Sequence, residues 1–212
     1  SKYSNIDESK QSNLPNFVKN IPDLSDEKRN VLVSVLDLNV YKKKGLDNLL
    51  HAFKSISTDH PETTLEIYGG GQPEIIQEVK SLIEDLHLED NVQLMGALDN
   101  KKLIKQVSTS LGLALPSFNE TFGMVYVEAL LSGVPILYSL DTGIDGFIDA
   151  VEAKVGVHPE NVGEIANGLE MLINNNQEYR IWLRSNRAII QDLFEKERYI
   201  QEYSEIIRRL AD

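Results

Sequence analysis

Two glutamates, Glu120 and Glu128, stand eight residues apart within PSFNETFGMVYVEALLSGVPIL, residues 116–137. Glu120 falls in a loop behind an apolar run. Phe122, Gly123 and Met124 are expected to form the first turn of the next helix, and Glu128 to lie inside it. Eight residues along a helix set two side chains roughly 80° apart and about 12 Å along the axis. That spacing excludes a close acid/base dyad. It suits contact with opposite ends of one elongated ligand, with the positive end of the helix between them. A nucleotide sugar has that form: the diphosphate on the free N–H groups of Phe122 through Val125, one carboxylate on sugar hydroxyls, the other on the ribose. Gly123 has no side chain to keep such a ligand off the backbone. The plain alternative makes Glu120 a favourable first-turn acid, Thr121 an ordinary N-cap and Glu128 a solvated helix residue.

These residues need elements to hold them. VLVSVL (31–36), LEIY (65–68), NVQLM (91–95), LGLALP (111–116), VPILYS (134–139) and the KVGVHP segment read as strands. Between them, GLDNLLHAFKSI, the stretch behind Pro73, NKKLIKQVS and FGMVYVEALLSG carry apolar residues at helical spacing, and 142–150 reads as a short helix or turn. Three helices, about 161–174, 177–192 and 195–210, finish the chain. Regular alternation of this kind predicts an α/β fold, a doubly wound, Rossmann-like parallel sheet built from right-handed βαβ units. Ligands then bind where strands lead into helices, in the loops after residues 36, 68, 95, 116 and 139. We divide the chain into a linker or arm (1–29), a nucleotide-sugar-binding domain (30–175) and C-terminal helices (176–212) that pack on that domain or towards a missing one.

Composition narrows the function classes. No cysteine is present, which removes disulfides, zinc–cysteine sites and thiol catalysis. The net charge of −12 argues against nucleic acid or an anionic membrane as the main partner. One helix N-terminus plus one lysine can still hold a small anion. His51, His60, His87 and His158 are scattered without metal-ligand spacing and read as surface or boundary residues. No apolar run approaches the roughly 20 residues of a membrane span, and SKYSNIDESK is no signal peptide. These features fit a cytoplasmic protein.

The segment around the glutamates resembles the E-x₇-E motif of retaining GT-B glycosyltransferases, the family-four or group-one class. Its usual context is P-S-x-x-E-x-F-G-x-x-x-x-E-A-x-x-x-G-x-P, matched here by Pro116, Ser117, Glu120, Phe122, Gly123, Glu128, Ala129, Gly133 and Pro135. The similarity extends through KKKGLDNLLHAF, YGGG, NVQLMG, GIDGFI and VGVHPENVGEIANGL, roughly residues 30–175. By position, the resemblance implies that Glu120 contacts the transferred sugar and Glu128 the ribose. The backbone of Phe122, Gly123, Met124 and Val125, next to Thr121, would hold the phosphates. Lys44 would neutralise the diphosphate leaving group, a task suited to a compact cation. Gly70 and Gly71 match small residues beside the donor, with a turn-only role as the alternative, and Leu98 matches a position near the base. No metal or other cofactor is implied beyond the donor, a UDP or GDP sugar, and no Asp-x-Asp pair occurs in these loops.

One departure stands out. The family carries an arginine six residues before its lysine, in G-R-x₅-K-G, where this chain has Leu38 preceded by Asp37. One phosphate cation is therefore missing unless Lys42 or Lys43 takes its place. The sequon Asn119-Glu120-Thr121 would put a glycan in the donor site and is read as chance. Enzymes of this class place an acceptor domain before the donor domain, and only the second is recognised here. The implied activity is retaining sugar transfer in polysaccharide or glycoconjugate biosynthesis, with room for peripheral membrane association of the full enzyme. The alternatives are a non-catalytic nucleotide-sugar-binding or scaffolding domain, a GT-B phosphorylase or epimerase, and a Rossmann oxidoreductase. The last needs G-x-G-x-x-G after the first strand, where the chain reads DLNVYKKKG. The stripe Phe194, Tyr199, Tyr203 and Ile207 of the last helix is expected to return towards the missing domain.

Overall fold

The apolar runs do form strands, somewhat trimmed. In the computed structural model, which describes residues 23–194 and residues 200, 204, 205, 207 and 208, they are β1 Val31–Val35, β2 Thr64–Tyr68, β3 Val92–Gly96, β4 Gly112–Ala114, β5 Ile136–Ser139 and β6 Lys154–Val157. They pair in the order β3-β2-β1-β4-β5-β6, every neighbour parallel. Strands buried on both faces need continuous apolar sequence, which is why VLVSV, ILYS and GLA lack the alternation of a half-exposed sheet. The expected strand 111–116 shrinks to Gly112–Ala114. Leu115 still donates to Leu137 O at 3.1 Å, but Pro116 has no N–H with which to continue.

The helices are α1 Leu46–Ile56, α2 Pro73–Asp85, α3 Asn100–Ser108, α4 Met124–Leu131, α5 Val162–Asn174, α6 Asn176–Ser185 and α7 Arg187–Leu193. α1 packs against α5, and α3 against α4, so the sheet is sandwiched as a doubly wound fold requires. Leu49, Leu50, Ala52 and Phe53 of α1 are wholly buried, as are Ile165, Leu169 and Leu172 of α5.

Three expectations need correction. The helix expected over 177–192 is two helices, α6 and α7, because the Asn186 side chain donates to Trp182 O at 2.9 Å and ends the first. The turn expected to start at Phe122 begins at Met124, since Gly123 is a left-handed N-cap with φ 84°. Phe194 does not face outward; it is buried in its own domain, edge-on to Phe122 with ring centroids 6.2 Å apart. Of the helix expected over 195–210, residues 200, 204, 205, 207 and 208 are described and helical, with Ile207 exposed, while the rest, Tyr199 and Tyr203 included, lies outside the described residues. The 142–150 segment is turn rather than helix.

Two arginines tie the scaffold together. Arg29 donates to Glu66 Oε1 at 2.7 Å, to Thr109 Oγ1 at 2.9 Å and to Gln106 O at 3.1 Å, anchoring the chain just ahead of β1. Tyr68 meets the other Glu66 oxygen at 2.6 Å, and burial first, then that hydrogen bond, pushes its pKa up to about 12. Buried Arg180 has no carboxylate among these contacts. It donates instead to Ser108 O at 2.6 Å and Gly133 O at 3.1 Å, the carbonyl ends of α3 and α4, where a cation is favoured. One guanidinium thus fixes the tails of the two helices whose heads line the candidate site.

Candidate donor-binding site

From β1 the chain winds one way across the sheet, to β2 and β3; from β4 it winds the other way, to β5 and β6. β1 and β4 are neighbours at that reversal, and in open parallel sheets ligands bind outside the carboxyl ends of the strands there. The loop after β1 carries Lys44 and the loop after β4 carries Glu120. Their side chains meet, Nζ to Oε2 at 2.7 Å, with 23% and 12% of their surfaces exposed.

This meeting is imposed by the backbone. The Lys43 carbonyl accepts the Phe118 N–H at 2.9 Å and the Ser117 hydroxyl at 3.3 Å, sewing the two loops together on either side of the ion pair. Gly45 follows at φ 71°, and a Cβ there would stand 1.8 Å from the Pro116 carbonyl oxygen, so only glycine lets the loops approach. Glu120 is held further. Its Oε1 accepts the Thr121 N–H at 3.1 Å, its N–H donates to Thr142 Oγ1 at 3.1 Å, and that hydroxyl donates to Glu120 O at 3.1 Å. Thr142 sits in the loop after β5, which Asp145 braces by accepting from Asp141 N–H at 2.8 Å and from the Tyr138 hydroxyl at 3.1 Å. Burial and the adjacent Asp145 raise the Tyr138 pKa above its ordinary value, so this phenol stays a donor.

Beside the pair begins α4. A Cβ on Gly123 would come within 2.3 Å of the Tyr126 ring, which dictates glycine at this cap. Tyr126 N–H bonds back to Gly123 O at 2.9 Å, so Met124 and Val125 hold the first-turn N–H groups that a helix leaves for a ligand. The Phe122 ring is spent on the core, edge-on to Phe147 at 5.3 Å as well as to Phe194; only its backbone is available to a ligand. Thr121 is exposed and does not cap the helix, which removes the N-cap reading.

Glu128 lies one turn further along α4 from this end and is half-buried. Its Oε1 accepts from Asn100 Nδ2 at 3.0 Å, at the start of α3. Leu98, 38% exposed, stands just upstream in the loop after β3. Gly70 and Gly71 belong to the neighbouring loop after β2: the Gly70 carbonyl accepts from Leu38 N–H at 2.9 Å, and a Cβ on Gly71 would meet Leu38 Cβ at 2.9 Å. All these residues but Glu128, in the second turn of α4, therefore lie in loops or helix starts at the carboxyl ends of the strands, with Lys44 and Glu120 in contact and Glu128 engaged separately.

Leu38 is 2% exposed in a short 3-10 turn and packs inward. Lys42 is paired with Glu78: its Nζ lies 2.7 Å from that carboxylate, which also takes the Tyr41 hydroxyl at 2.7 Å. The lysine's hydrogen bond, then the tyrosine's, hold the Glu78 carboxyl below its usual range. Lys43 is exposed. Of the three lysines, Lys44 is the one that pairs with Glu120.

Sequence reasoning missed Thr142 and Asn100. The GIDGFI stretch had marked the β5 loop but not its hydroxyl, and nothing local to Asn100 shows that the head of α3 abuts α4. A separate cavity of about 540 Å³ runs along α3 between Asp23–Ser25 and Lys101, Lys105 and Ser108; it shares Asn100 with the site but is remote from the Lys44–Glu120 pair. Among the described residues no cluster of His, Asp and Glu could hold a metal ion, and no helix is long and apolar enough to cross a membrane.

The family of glycosyl transferases group 1 matches residues 19–188. An uncharacterized glycosyltransferase of Haemophilus influenzae is 27% identical over 170 residues, covering 80% of this chain and 47% of that protein. Poly(glycerol-phosphate) alpha-glucosyltransferase of Bacillus subtilis is 25% identical over 205 residues, covering 92% of this chain and 28% of the other. The chain thus spans less than half the length of either relative. Among solved structures, a TarM mutant of S. aureus with UDP bound superposes with TM-score 0.75 at 19% identity, covering 90% of this chain and 38% of that one. HepE of Anabaena in complex with UDP-glucose gives TM-score 0.68 at 21% identity, covering 86% and 49%. At these identities the structural likeness is one of fold.

Proposed function

Because the chain belongs to the glycosyl transferases of group 1, we propose that it is the donor-binding half of an enzyme that transfers a sugar from a nucleoside-diphosphate sugar with retention at the anomeric carbon. The observation that carries this reading is the convergence of Lys44 and Glu120 at the reversal of the sheet, beside the open N-terminus of α4. The diphosphate lies on the Met124 and Val125 N–H groups and against Lys44, which answers the charge that develops on the leaving group. Glu120 accepts from hydroxyls of the transferred sugar. Glu128, kept in place by Asn100, accepts from the ribose, with Leu98 near the base. Lys44 and the helix end do the work of a divalent cation, so binding is metal-free. The chain's own half supplies donor binding; acceptor positioning, which contributes roughly 7–11 kcal/mol to such reactions, belongs to the missing acceptor domain. The setting is polysaccharide or glycoconjugate synthesis in the cytoplasm. UDP is the first nucleotide to try, since TarM and HepE carry it.

A second reading, a nucleotide-sugar-binding domain without turnover, draws on the buried Leu38 and the engaged Lys42, which leave the diphosphate one side-chain cation. Both readings require the site. Calorimetric titration with UDP, GDP, ADP and their sugar conjugates, with and without EDTA, is predicted to show micromolar-class binding that EDTA leaves unchanged. Glu128→Ala should weaken bare and sugar-bearing nucleotides alike, by about 1.5–3 kcal/mol for a hydrogen bond to a charged group. Absence of binding by every nucleotide would remove the proposal, and loss of binding in EDTA would remove its metal-free part. Transfer that appears only when an acceptor domain is supplied would favour the enzyme over the second reading.

A further inference from the structure

The Lys44–Glu120 contact sets two assigned tasks against each other. A diphosphate needs Lys44, yet the lysine is taken up at 2.7 Å by Glu120. Glu120 in turn is mostly buried, at 12% exposure, and its other oxygen receives the Thr121 N–H at 3.1 Å. The carboxylate cannot swing away at no cost, because Thr142 holds its backbone from both sides and the Gly143 backbone packs so near its side chain that a Cβ there would stand 2.9 Å from Glu120 Cβ. A ligand that draws Lys44 off leaves a half-dry carboxylate beside a phosphate without its cation, one that shares the ammonium sets two anions on a single cation, and either arrangement is costly for a part-buried pair.

The two ligands differ in what they give back. A sugar-bearing diphosphate brings hydroxyl donors to Glu120 as it takes Lys44, so each group exchanges one partner for another. A bare nucleoside diphosphate brings no donor and carries more negative charge at its terminal phosphate. We propose, resting on the donor-site reading above, that Glu120 is a specificity-determining residue that makes this site favour a sugar-bearing diphosphate over the bare diphosphate. It competes for Lys44 until a hydroxyl replaces the lysine. The same competition returns once the sugar has left, and it speeds release of the bare product.

The test is calorimetric titration of the wild-type chain and Glu120→Gln with UDP, GDP and ADP, and with UDP-glucose, GDP-mannose and ADP-glucose. Glutamine keeps the shape and removes the charge. The variant is predicted to bind the bare diphosphate about tenfold more tightly, as expected for removal of one poorly screened like charge, and the sugar conjugate no more tightly than wild type. Glu120→Asp, shortened by one methylene but still charged, should move the same way by less. Thermal melting of each variant checks the fold, and the aspartate variant carries the test if the glutamine one is unstable. Unchanged or weaker binding of the bare diphosphate in both variants would overturn the inference while leaving the donor site intact. No binding of any of the six compounds to wild type would overturn the donor-site reading, and this inference with it.

Discussion

The two ends of the candidate site are built differently. At one end, Lys44 and Glu120 come from loops after neighbouring strands, sewn together through the Lys43 carbonyl, pressed close at Gly45 and braced from a third loop by Thr142. At the other, Glu128 rests on a helix and accepts from one exposed amide, Asn100, with Leu98 open to solvent nearby. The first end is pre-organised largely by backbone, with the Ser117 and Thr142 hydroxyls as its side-chain braces. The second is held by side chains alone. On the proposed donor reading, a nucleotide sugar needs its reacting end placed to within a fraction of an ångström and its base merely recognised, and the division of rigidity matches that proposal.

Two glycines with the same backbone sign offer the largest test of that contrast. Gly45 at the tight end has φ 71° and a Cβ clash at 1.8 Å with Pro116 O, whereas Gly96 near the open end has φ 74° and nothing within 4 Å. Gly45→Ala should cost about 3 kcal/mol or more, strain and clash together. Gly96→Ala should cost about 1 kcal/mol, from strain alone. Equal losses in thermal or denaturant unfolding would mean that the loops after β1 and β4 are not locked together.

Thr142→Val comes next. It leaves the Glu120 N–H without a partner in a partly buried setting, a loss of about 1–3 kcal/mol. Sugar-conjugate affinity should fall more than that of the bare nucleotide, because Glu120 is what moves. Loss of stability with both affinities unchanged would make Thr142 a fold residue only.

The smallest effect belongs to Asn100→Ala. The bond is exposed, so unfolding should be nearly unaffected, while bare and sugar-bearing nucleotides both weaken by about 0.5–1.5 kcal/mol. A change confined to the sugar conjugate would place Asn100, and Glu128 with it, at the wrong end of the ligand.

How much of this could be read beforehand depended on whether a feature is local in sequence. The strands, their parallel pairing and the loops at their carboxyl ends follow from apolar runs of buried length separated by amphipathic stretches, whereas the strand order with its reversal between β1 and β4 comes from the structure. Glu120, Glu128 and Lys44 are marked by their resemblance to a family motif rather than by residue type alone, and the structure brings Lys44 and Glu120 into contact while Glu128 bonds separately to Asn100. The cap of α4 was misplaced by two residues because Phe122 looks helical; only the Tyr126 ring, one turn on, shows why Gly123 turns left-handed there. Thr142, Asn100 and the inward turn of Phe194 were unreadable for one common reason. Each owes its role to a contact between elements distant along the chain, 22 residues for Thr142 with Glu120 and 28 for Asn100 with Glu128. Leu38 was visible as a departure, but its burial beneath the Gly71 loop was not.

The central claim is that a nucleoside diphosphate settles at the head of α4 between Lys44 and Glu128. The most direct measurement is a ¹H–¹⁵N correlation spectrum of the labelled chain titrated with UDP, GDP and ADP. The account predicts that, with whichever nucleotide binds, the largest amide shifts fall on Gly45, Gly123, Met124 and Val125, with smaller ones at Leu98 and Asn100. Shifts centred instead on Lys101, Lys105 and Ser108, along the α3 cavity, or no shifts with any of the three nucleotides, would contradict it.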